Sequence, residues 1–233
     1  MSLLQGKRCL VTGASSGIGD ALATELCNRQ ARVIGVSRRL PERSLHWPDE
    51  GERLAAQLDV SDEDAVDQAF GDLDGIDVLV LCAGSATFGR IGGLEASEFR
   101  ELFEAHVMGS FLCVRAALPL MRPGSKVLCI GSITARRALA ECGAYAAAKA
   151  GMLALTRALA LELAPRGITA NALLPGIVPT AMTAGRAEDL HHLHPVGRLG
   201  RGQDIADAVS WLLDAPWVTG ASIPVDGGLL VRE

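Results

Sequence analysis

The chain has 233 residues, of which 49% are hydrophobic and 21% are charged. This composition excludes an intrinsically disordered chain, because it supplies enough apolar side chains for a large core. The formal net charge is −5 and no block of basic residues occurs, which excludes a surface built to bind the phosphates of a nucleic acid.

Short β-rich apolar runs alternate with longer helical patterns along the whole chain. This alternation is typical of βαβ units and predicts an α/β fold, a doubly wound parallel β-sheet of about seven strands with helices on both faces, of Rossmann type. The predicted strands lie near Arg8–Thr12, Arg32–Ser37, Arg53–Asp59, Val78–Cys82, Lys126–Ile130, Thr169–Leu174 and Ser222–Val225. The predicted helices lie near Gly17–Asn28, Asp62–Phe70, Glu98–Leu120, Ala144–Ala164 and Asp204–Leu213. Because no repeat or linker interrupts the pattern, one domain over residues 1–233 is predicted.

A glycine-rich turn, TGASSGIG, follows the first predicted strand and opens the first predicted helix. Gly13 allows the tight turn, Gly17 lets backbone approach a pyrophosphate, and Gly19 lets helix and strand come close. The free N–H groups and positive dipole end of the helix would bind the anion. The spacing G-x-x-x-G-x-G differs from the common G-x-G-x-x-G, and the alternative for the motif taken alone is a structural turn. Its place between strand and helix favours a dinucleotide site.

The second predicted strand ends in Val36-Ser37-Arg38-Arg39, where a carboxylate would bind the ribose of NAD. No acid stands there. A guanidinium binds a 2′-phosphate with two hydrogen bonds, so Arg38, helped by Ser37 and Arg39, indicates NADP(H) rather than NAD(H). The alternative is that both arginines are solvated charges at the end of a strand.

Two helices carry clear end signals. Ser61, before three acidic residues, is the predicted N-cap of the second helix. Pro165 and Gly167 are predicted to end the long helix Ala144–Ala164. Nearly every face of that helix is apolar, so we expect burial on more than one side. It lies either at the centre of the subunit or against a second subunit, and the second alternative predicts a homodimer or homotetramer.

Tyr145 and Lys149 are spaced i, i+4 near the start of the long helix, so their side chains share a face. A free phenol titrates near ~10, and acid–base work at neutral pH needs a drop of ~2–3 units. An ammonium ~4 Å away contributes about 4 kcal/mol at an effective dielectric of ~20, which is enough. Ser132 follows the strand Lys126–Ile130 at the carboxyl edge of the sheet, where its hydroxyl would orient a substrate oxygen.

In the order and spacing of these pieces the chain resembles the short-chain dehydrogenase/reductase family over essentially its whole length. The matching pieces are TGASSGIG, Leu58-Asp59-Val60, Cys82-Ala83-Gly84, Gly131-Ser132, Tyr145-x-x-x-Lys149, Leu174-Pro175-Gly176 with Thr180, and Thr219-Gly220 followed by Asp226-Gly227-Gly228. The resemblance implies hydride transfer between nicotinamide and a small carbonyl or secondary alcohol, with NADP(H) as the expected cofactor. Ser132, Tyr145 and Lys149 would then be catalytic.

The resemblance also implies where the cofactor lies. Asp59 would face the adenine, Ile177 and Thr180 would meet the nicotinamide carboxamide, and Lys149 would bind the nicotinamide ribose as well. With the glycine-rich turn, the implied cofactor-binding residues are Gly13, Ser15, Ser16, Gly17, Ile18, Gly19, Ser37, Arg38, Arg39, Asp59, Val60, Cys82, Ala83, Gly84, Tyr145, Lys149, Pro175, Gly176, Ile177 and Thr180.

The chain departs from the family at two places. His106 stands where the family has an asparagine that completes a catalytic tetrad. We expect His106 to take over the structural hydrogen bonds of the asparagine, with activity retained and an altered pH profile. The alternative is a neutral histidine packed there. Leu81 and Cys82 replace two asparagines before Ala83-Gly84, which we interpret as structural drift that loosens the central strand.

The segment 181–199 corresponds to the mobile substrate lid of the family and carries His191, His192 and His194. No carboxylate or thiol set accompanies these histidines, so no metal site is predicted. Arg136 and Arg137, near Ser132 in sequence, either meet an anionic substrate or are surface charges. The alternative function is a catalytically weak or inactive NADP(H)-binding sensor or scaffold. The intact Ser132, Tyr145 and Lys149 argue against it.

Cysteine use and hydropathy bear on location. The six cysteines form no Cys-x-x-Cys pair and are interpreted as small apolar residues of a reducing cytosol. The N-terminus has no long apolar segment, so no secretory signal is predicted. The most apolar long stretch, Ala144–Ala164, is interrupted by Lys149, Arg157 and Glu162 and predicts no membrane span. The expected location is cytoplasmic.

Overall fold

Strands and helices alternate in the computed structural model, which describes residues 3–180, 183 and 188–232, without the side chains at 188 and 189. The strands are β1 (Arg8–Thr12), β2 (Arg32–Val36), β3 (Arg53–Ala56), β4 (Ile76–Leu81), β5 (Met121–Ile130), β6 (Thr169–Pro175) and β7 (Ser222–Val225). The α-helices are α1 (Gly17–Asn28), α2 (Glu63–Gly71), α3 (Ala96–Phe103), α4 (Gly109–Ala117), α5 (Gly143–Leu163) and α6 (Gly202–Leu213). A π-helical stretch, Glu104–Met108, joins α3 to α4.

The strands form one parallel sheet in the order β3-β2-β1-β4-β5-β6-β7. The chain begins at the centre, winds outward to β3, then returns beside β1 with β4 and winds outward on the other side. This confirms the predicted doubly wound parallel sheet. The strand order reverses between β1 and β4, which is where ligands bind in open α/β sheets.

Helices cover both faces of the sheet because successive side chains of each strand point to opposite sides. On β4, Val78 and Val80 pack into a cluster with α1 and α6. Leu79 and Leu81 pack into the other cluster, with α2, α4 and α5. The continuous apolar strands therefore support two cores, one on each side.

Two helix starts differ from the predicted ones. The N-cap predicted at Ser61 is wrong, because Asp62 caps α2 and accepts a hydrogen bond from the Ala65 amide at 3.0 Å. The Ser61 hydroxyl instead donates to Asp59 Oδ1 at 2.7 Å. The helix predicted over 98–120 begins two residues earlier, at Ala96, since Glu95 forms the preceding cap.

The long helix α5 ends as predicted, with a short 3-10 turn at Ala164–Arg166 and Gly167 in the left-handed conformation at φ +71°. Its apolar surface is not buried all round within this chain. Leu161 is 80% exposed, and the exposed residues Ala150, Ala154 and Ala158 extend the same stripe. Among the described residues no helix has the length and hydropathy needed to cross a membrane.

Candidate active site

A cleft of about 1010 Å³ opens along the carboxyl edge of the sheet, where β1 and β4 diverge. Its walls are the loops that follow β1 to β6 and one side of the α3–π-helix segment. All the predicted site residues line it except Ile177. They are Gly13, Ser15, Ser16, Gly17, Ile18, Gly19, Ser37, Arg38, Arg39, Asp59, Val60, Cys82, Ala83, Gly84, His106, Ser132, Tyr145, Lys149, Pro175, Gly176 and Thr180.

The three glycines of the glycine-rich turn have little room for a Cβ atom. Gly13 has φ +71°, and a Cβ there would lie 2.7 Å from the Cys82 carbonyl oxygen. A Cβ on Gly19 would lie 2.4 Å from the Gly13 carbonyl oxygen, and one on Gly17 would lie 3.0 Å from Thr180 Cγ2. These close approaches let the backbone itself form the wall, which is the arrangement that a pyrophosphate needs.

The first turn of α1 faces the cleft. Ser16 is its N-cap residue, and in the described structure the Ser16 side chain makes no capping hydrogen bond, so the helix amides are left for a ligand. Behind the turn, the Arg53 guanidinium donates to the Ala14 carbonyl and pairs with Asp20 at 2.6 Å. Sequence analysis missed Arg53, because a lone arginine at the start of a strand carries no motif.

Polar groups gather at the end of the cleft beside β2. The Ser15 and Ser37 hydroxyls lie 2.9 Å apart, and Arg38 and Arg39 are exposed at the rim. Asp59 lies on the neighbouring loop, where its carboxylate accepts from the Ser61 amide and hydroxyl. Two cations without an acid at the end of β2 are therefore available to an anionic group.

Thr12 joins β1 to β4 at the base of the cleft. Its buried hydroxyl accepts hydrogen bonds from the amides of Cys82 and Ala83, each at 3.0 Å, and donates to the Val80 carbonyl at 3.4 Å. The loop after β4 is thus held although the asparagines of the family are absent. The expected loosening of the central strand stays a prediction, and these three hydrogen bonds argue against a large effect.

Ser132, Tyr145 and Lys149 lie in this one cleft. Ser132 follows β5, and its hydroxyl oxygen accepts from the Thr134 amide at 3.2 Å and the Thr134 hydroxyl at 2.9 Å. Tyr145, in the first turn of α5, is hydrogen-bonded to Ser132. The Lys149 ammonium, one helical turn on, is 5.7 Å from the centroid of the Tyr145 ring.

The Lys149 ammonium is buried, with 4% of the residue exposed, and donates to the Ile130 carbonyl at 2.8 Å. Burial lowers its pKa to about 8, and the nearby thiols of Cys82 and Cys129 oppose this change. The side chain is therefore mostly charged at pH 7 although it lies inside the protein.

The expected lowering of the Tyr145 pKa is wrong for this structure. Burial raises the pKa of the phenol, the thiols of Cys82 and Cys142 add to this, and only the hydrogen bond with Ser132 opposes it. Burial is the largest of these effects, and Lys149, whose ammonium donates to the Ile130 carbonyl, is not among the groups that lower this pKa. The phenol is therefore protonated at neutral pH and is chemically a proton donor.

His106 lies in the π-helical stretch with 1% of the residue exposed. Its Nε2 donates to the Ser85 carbonyl at 2.7 Å, and its ring meets Tyr145 edge-on with 5.6 Å between centroids. A Cβ on Gly84 would lie only 1.9 Å from His106 Cε1. The histidine therefore fills the space that glycine leaves in the loop after β4.

Burial lowers the His106 pKa to about 3, and the Lys149 ammonium adds to this effect. The ring is neutral over the whole working range of pH, so the altered pH profile expected from its titration is wrong. The alternative, a neutral packed histidine, describes the structure, together with one hydrogen bond that ties the π-helical stretch to Ser85.

Ile177 does not line the cleft, contrary to the prediction. Its side chain packs into the core, while its N–H donates to His194 Nε2 at 3.1 Å. Arg136 and Arg137 are likewise outside the cleft wall, and Arg137 donates to the Leu229 carbonyl. The expectation that these arginines meet a substrate thus has no support in the structure, and the surface alternative describes them.

The predicted lid 181–199 lies partly outside the described residues. In its described part, His191 and His192 are exposed on a 3-10 turn, Glu188–Leu193, and His194 is buried. No group of three His, Cys, Asp or Glu side chains within the described ranges is placed to bind a metal ion.

Part of the cleft wall was missed by sequence analysis. The loop after β4 continues it, and one side of α3 and the π-helical stretch completes it. These residues follow no fixed spacing from a motif, and only the packing of the helix over the loop brings them to the site. They are Ser85, Ala86, Ser97, Arg100, Glu101, Glu104 and Ala105.

Known proteins resemble the chain over nearly its full length. Residues 13–230 match the family described as enoyl-(acyl carrier protein) reductase. Carbonyl reductase family member 4 of Xenopus tropicalis is 33% identical over 97% of this chain and 99% of its own length. The 3-oxoacyl-(acyl-carrier-protein) reductase of Vibrio cholerae is 33% identical, covering 97% and 98%. The crystal structure of a blue fluorescent protein from a metagenomic library, in complex with NADPH, has a TM-score of 0.86 at 32% identity, covering 97% of this chain and 98% of that one.

Proposed function

The chain belongs to the short-chain dehydrogenase/reductase family of NAD(P)-dependent oxidoreductases, and we propose that it is an NADP(H)-dependent reductase of carbonyl compounds. One observation carries the proposal. A protonated tyrosine hydrogen-bonded to Ser132, with a buried lysine one helical turn away, lies in the same cleft as an uncapped helix N-terminus behind a glycine-rich turn. The tyrosine, serine and lysine suit proton transfer, and the helix N-terminus with the glycine-rich turn suits the binding of a dinucleotide.

The cleft fits a nicotinamide dinucleotide. The glycine-rich turn offers backbone where any Cβ would collide, and the first amides of α1 would bind the pyrophosphate. Arg38 and Arg39, beside the Ser15 and Ser37 hydroxyls, would bind a 2′-phosphate, which favours NADP(H). The NADPH bound to the structurally similar metagenomic protein supports the same choice.

The residues of the chain would then act in distinct ways. Bound NADPH would supply the hydride. Ser132 would hydrogen-bond the substrate oxygen, and the neutral Tyr145 phenol would donate its proton to that oxygen as the alcohol forms. Lys149 would keep a positive charge in the cleft, 5.7 Å from the centroid of the Tyr145 ring, where we expect its ammonium to bind the nicotinamide ribose. His106 would hold the loop after β4 against the helix and take no proton.

The proposal also includes a cellular location and an oligomeric state. We propose a reducing, cytoplasmic environment, and the burial of Cys9, Cys113 and Cys129 as small apolar residues agrees with it. The exposed apolar stripe on α5, with Leu161 at its end, supports a homo-oligomer that buries this face against a second copy.

The function is tested by following nicotinamide absorbance with a panel of ketones and a 3-oxoacyl thioester. We expect oxidation of NADPH with at least one substrate, a lower KM for NADPH than for NADH, and loss of about 10²–10⁴-fold in kcat for Tyr145→Phe. A clear preference for NADH would contradict the cofactor assignment. Tight NADPH binding with no turnover on the whole panel would favour the binding-only sensor instead.

A further inference from the structure

His194 differs from the other histidines around it. It is 2% exposed, whereas His191 and His192 are exposed. It lies between two turns at the carboxyl edge of the sheet, Gly176–Ile177 after β6 and Asp226–Gly227 after β7. A buried polar ring in this position needs hydrogen-bond partners, and those partners indicate what it does.

The ring of His194 is fitted against the turn after β6. The Ile177 amide donates to Nε2 at 3.1 Å, and a Cβ on Gly176 would lie 2.9 Å from the same nitrogen. Because a backbone N–H can only donate, Nε2 must be unprotonated and the ring proton must sit on Nδ1. The contact therefore exists only for the neutral ring.

Both polar backbone groups of Ile177 are held by residues 194–200, at the C-terminal end of the predicted lid. Its N–H is bound by His194, and its carbonyl accepts from the Gly200 amide at 2.9 Å. On the other side of the turn, Pro175, Gly176 and Val178 line the cleft. The shape of this part of the cleft wall thus depends on where residues 194–200 lie.

We propose that His194 is a positioning residue that fixes the turn after β6 for nicotinamide binding and does so only in its neutral form. The proposal rests on the proposed function, since that assigns the cleft to NADP(H). Protonation would place a second donor against the Ile177 N–H, so the hydrogen bond would be lost and the turn released from residues 194–200.

The groups that face His194 set where this change occurs. Burial lowers its pKa, while Asp226 after β7 and the backbone carbonyls of Leu190 and His191 oppose that change. The ring is therefore neutral at pH 7 and is protonated only in more acidic solution. Affinity for the cofactor should fall as the pH is lowered through that range.

The first test needs no cofactor. Amide hydrogen exchange at Ile177 is measured in the protein alone for wild type, His194→Phe, His194→Gln and, as a matched control, His192→Gln. Phenylalanine keeps the ring but cannot accept, so we expect protection of Ile177 to fall about tenfold, the equivalent of one hydrogen bond. Glutamine offers a carbonyl oxygen near the position of Nε2 and should restore protection.

The second test measures the dissociation constant and KM for NADPH, with kcat, between pH 5 and pH 8. We expect His194→Phe to bind NADPH about tenfold more weakly with a smaller change in kcat. Wild type should lose affinity toward pH 5 more steeply than His194→Gln, which has no ring to titrate.

The outcomes separate the two proposals. If His194→Phe matches His192→Gln in both Ile177 protection and NADPH affinity, the role of His194 is wrong while the proposed function stands. If wild type neither binds nor oxidises NADPH, the proposed function is wrong. The hydrogen-exchange test still applies in that case. Unchanged protection of the Ile177 amide in His194→Phe would show that its hydrogen bond to His194 does not protect it, and the role of His194 would also be wrong.

Discussion

Lys149 is a cation held in a buried position, and its cost to stability follows from its pKa. The ordinary value of 10.5 falls to about 8 in the folded protein, so the unfolded chain binds more protons between these two values. The free energy of unfolding therefore rises with pH across this window, and the full cost is present below pH 8. A pKa difference of this size lowers the free energy of unfolding by ~3 kcal/mol.

Lys149→Met should consequently make the protein more stable and inactive. Removing the charge gains ~3 kcal/mol, and leaving the Ile130 carbonyl without its donor costs about 1 kcal/mol, so we expect a net gain of about 2 kcal/mol at pH 7. Denaturant unfolding at pH 7 and pH 9.5 measures this. The gain should be smaller at pH 9.5, and an equal gain at both values would contradict the buried charge as its cause.

The His106 ring occupies the space that a side chain at position 84 would need. Gly84→Ala would place a methyl group 1.9 Å from Cε1 of the buried imidazole, so the ring or the loop after β4 would have to shift, and we expect destabilisation of about 1–3 kcal/mol and a large loss of activity. In the double variant with His106→Asn, the smaller side chain should restore much of both. Thermal unfolding and kcat of the single and double variants form the measurement. Additive losses in the double variant would rule out direct interference.

At the scale of elements, β1 and β4 pair as neighbouring strands, and at the reversal of strand order the Thr12 hydroxyl adds a side-chain contact to this pairing. Thr12→Val removes the acceptor for the amides of Cys82 and Ala83, and each buried amide left without a partner costs ~1–3 kcal/mol. We expect about 2–3 kcal/mol less stability by denaturant unfolding, together with weaker cofactor binding. Thr12→Ser keeps the oxygen and is the control. Equal losses in both variants would assign the effect to the lost methyl group.

The elements that sequence analysis predicted well are those with a strong local signal. The continuous apolar run of β1 and the glycine-rich turn after it identify the nucleotide-binding unit, and the Pro165–Gly167 signal ends α5 where it was predicted. The break in the α3–α4 segment could not be predicted. It arises because His106 must pack against Gly84 and reach the Ser85 carbonyl, which are distant in sequence.

The same distinction applies to the site. The motifs placed Ser132, Tyr145 and Lys149 correctly in one cleft, because residues after parallel strands meet at one edge of the sheet. The direction of the Lys149 ammonium could not be predicted, since it depends on a carbonyl of β5 that no motif marks. The error in the Tyr145 pKa comes mainly from the burial of the phenol, which spacing along a helix does not show.

At the scale of the whole molecule, the described strands all belong to one sheet with a core on each face, and we propose that the chain is a single domain. The exposed stripe on α5 then becomes the expected contact between copies. Leu161→Glu should shift the protein toward monomers, because a carboxylate there would be buried without a partner.

Sedimentation velocity at several protein concentrations measures this shift. Leu3→Glu, at a residue 67% exposed away from α5, is the control and should leave the assembly unchanged. A wild-type protein that sediments as a monomer at all concentrations would contradict the homo-oligomer.

The fit between residues 84 and 106 also constrains how this protein evolved. A Cβ at position 84 would meet the imidazole at position 106, so we expect glycine at position 84 wherever position 106 is histidine. Once the imidazole was in place, every replacement at position 84 became costly. Position 84 can accept other residues only after the histidine at position 106 has been replaced.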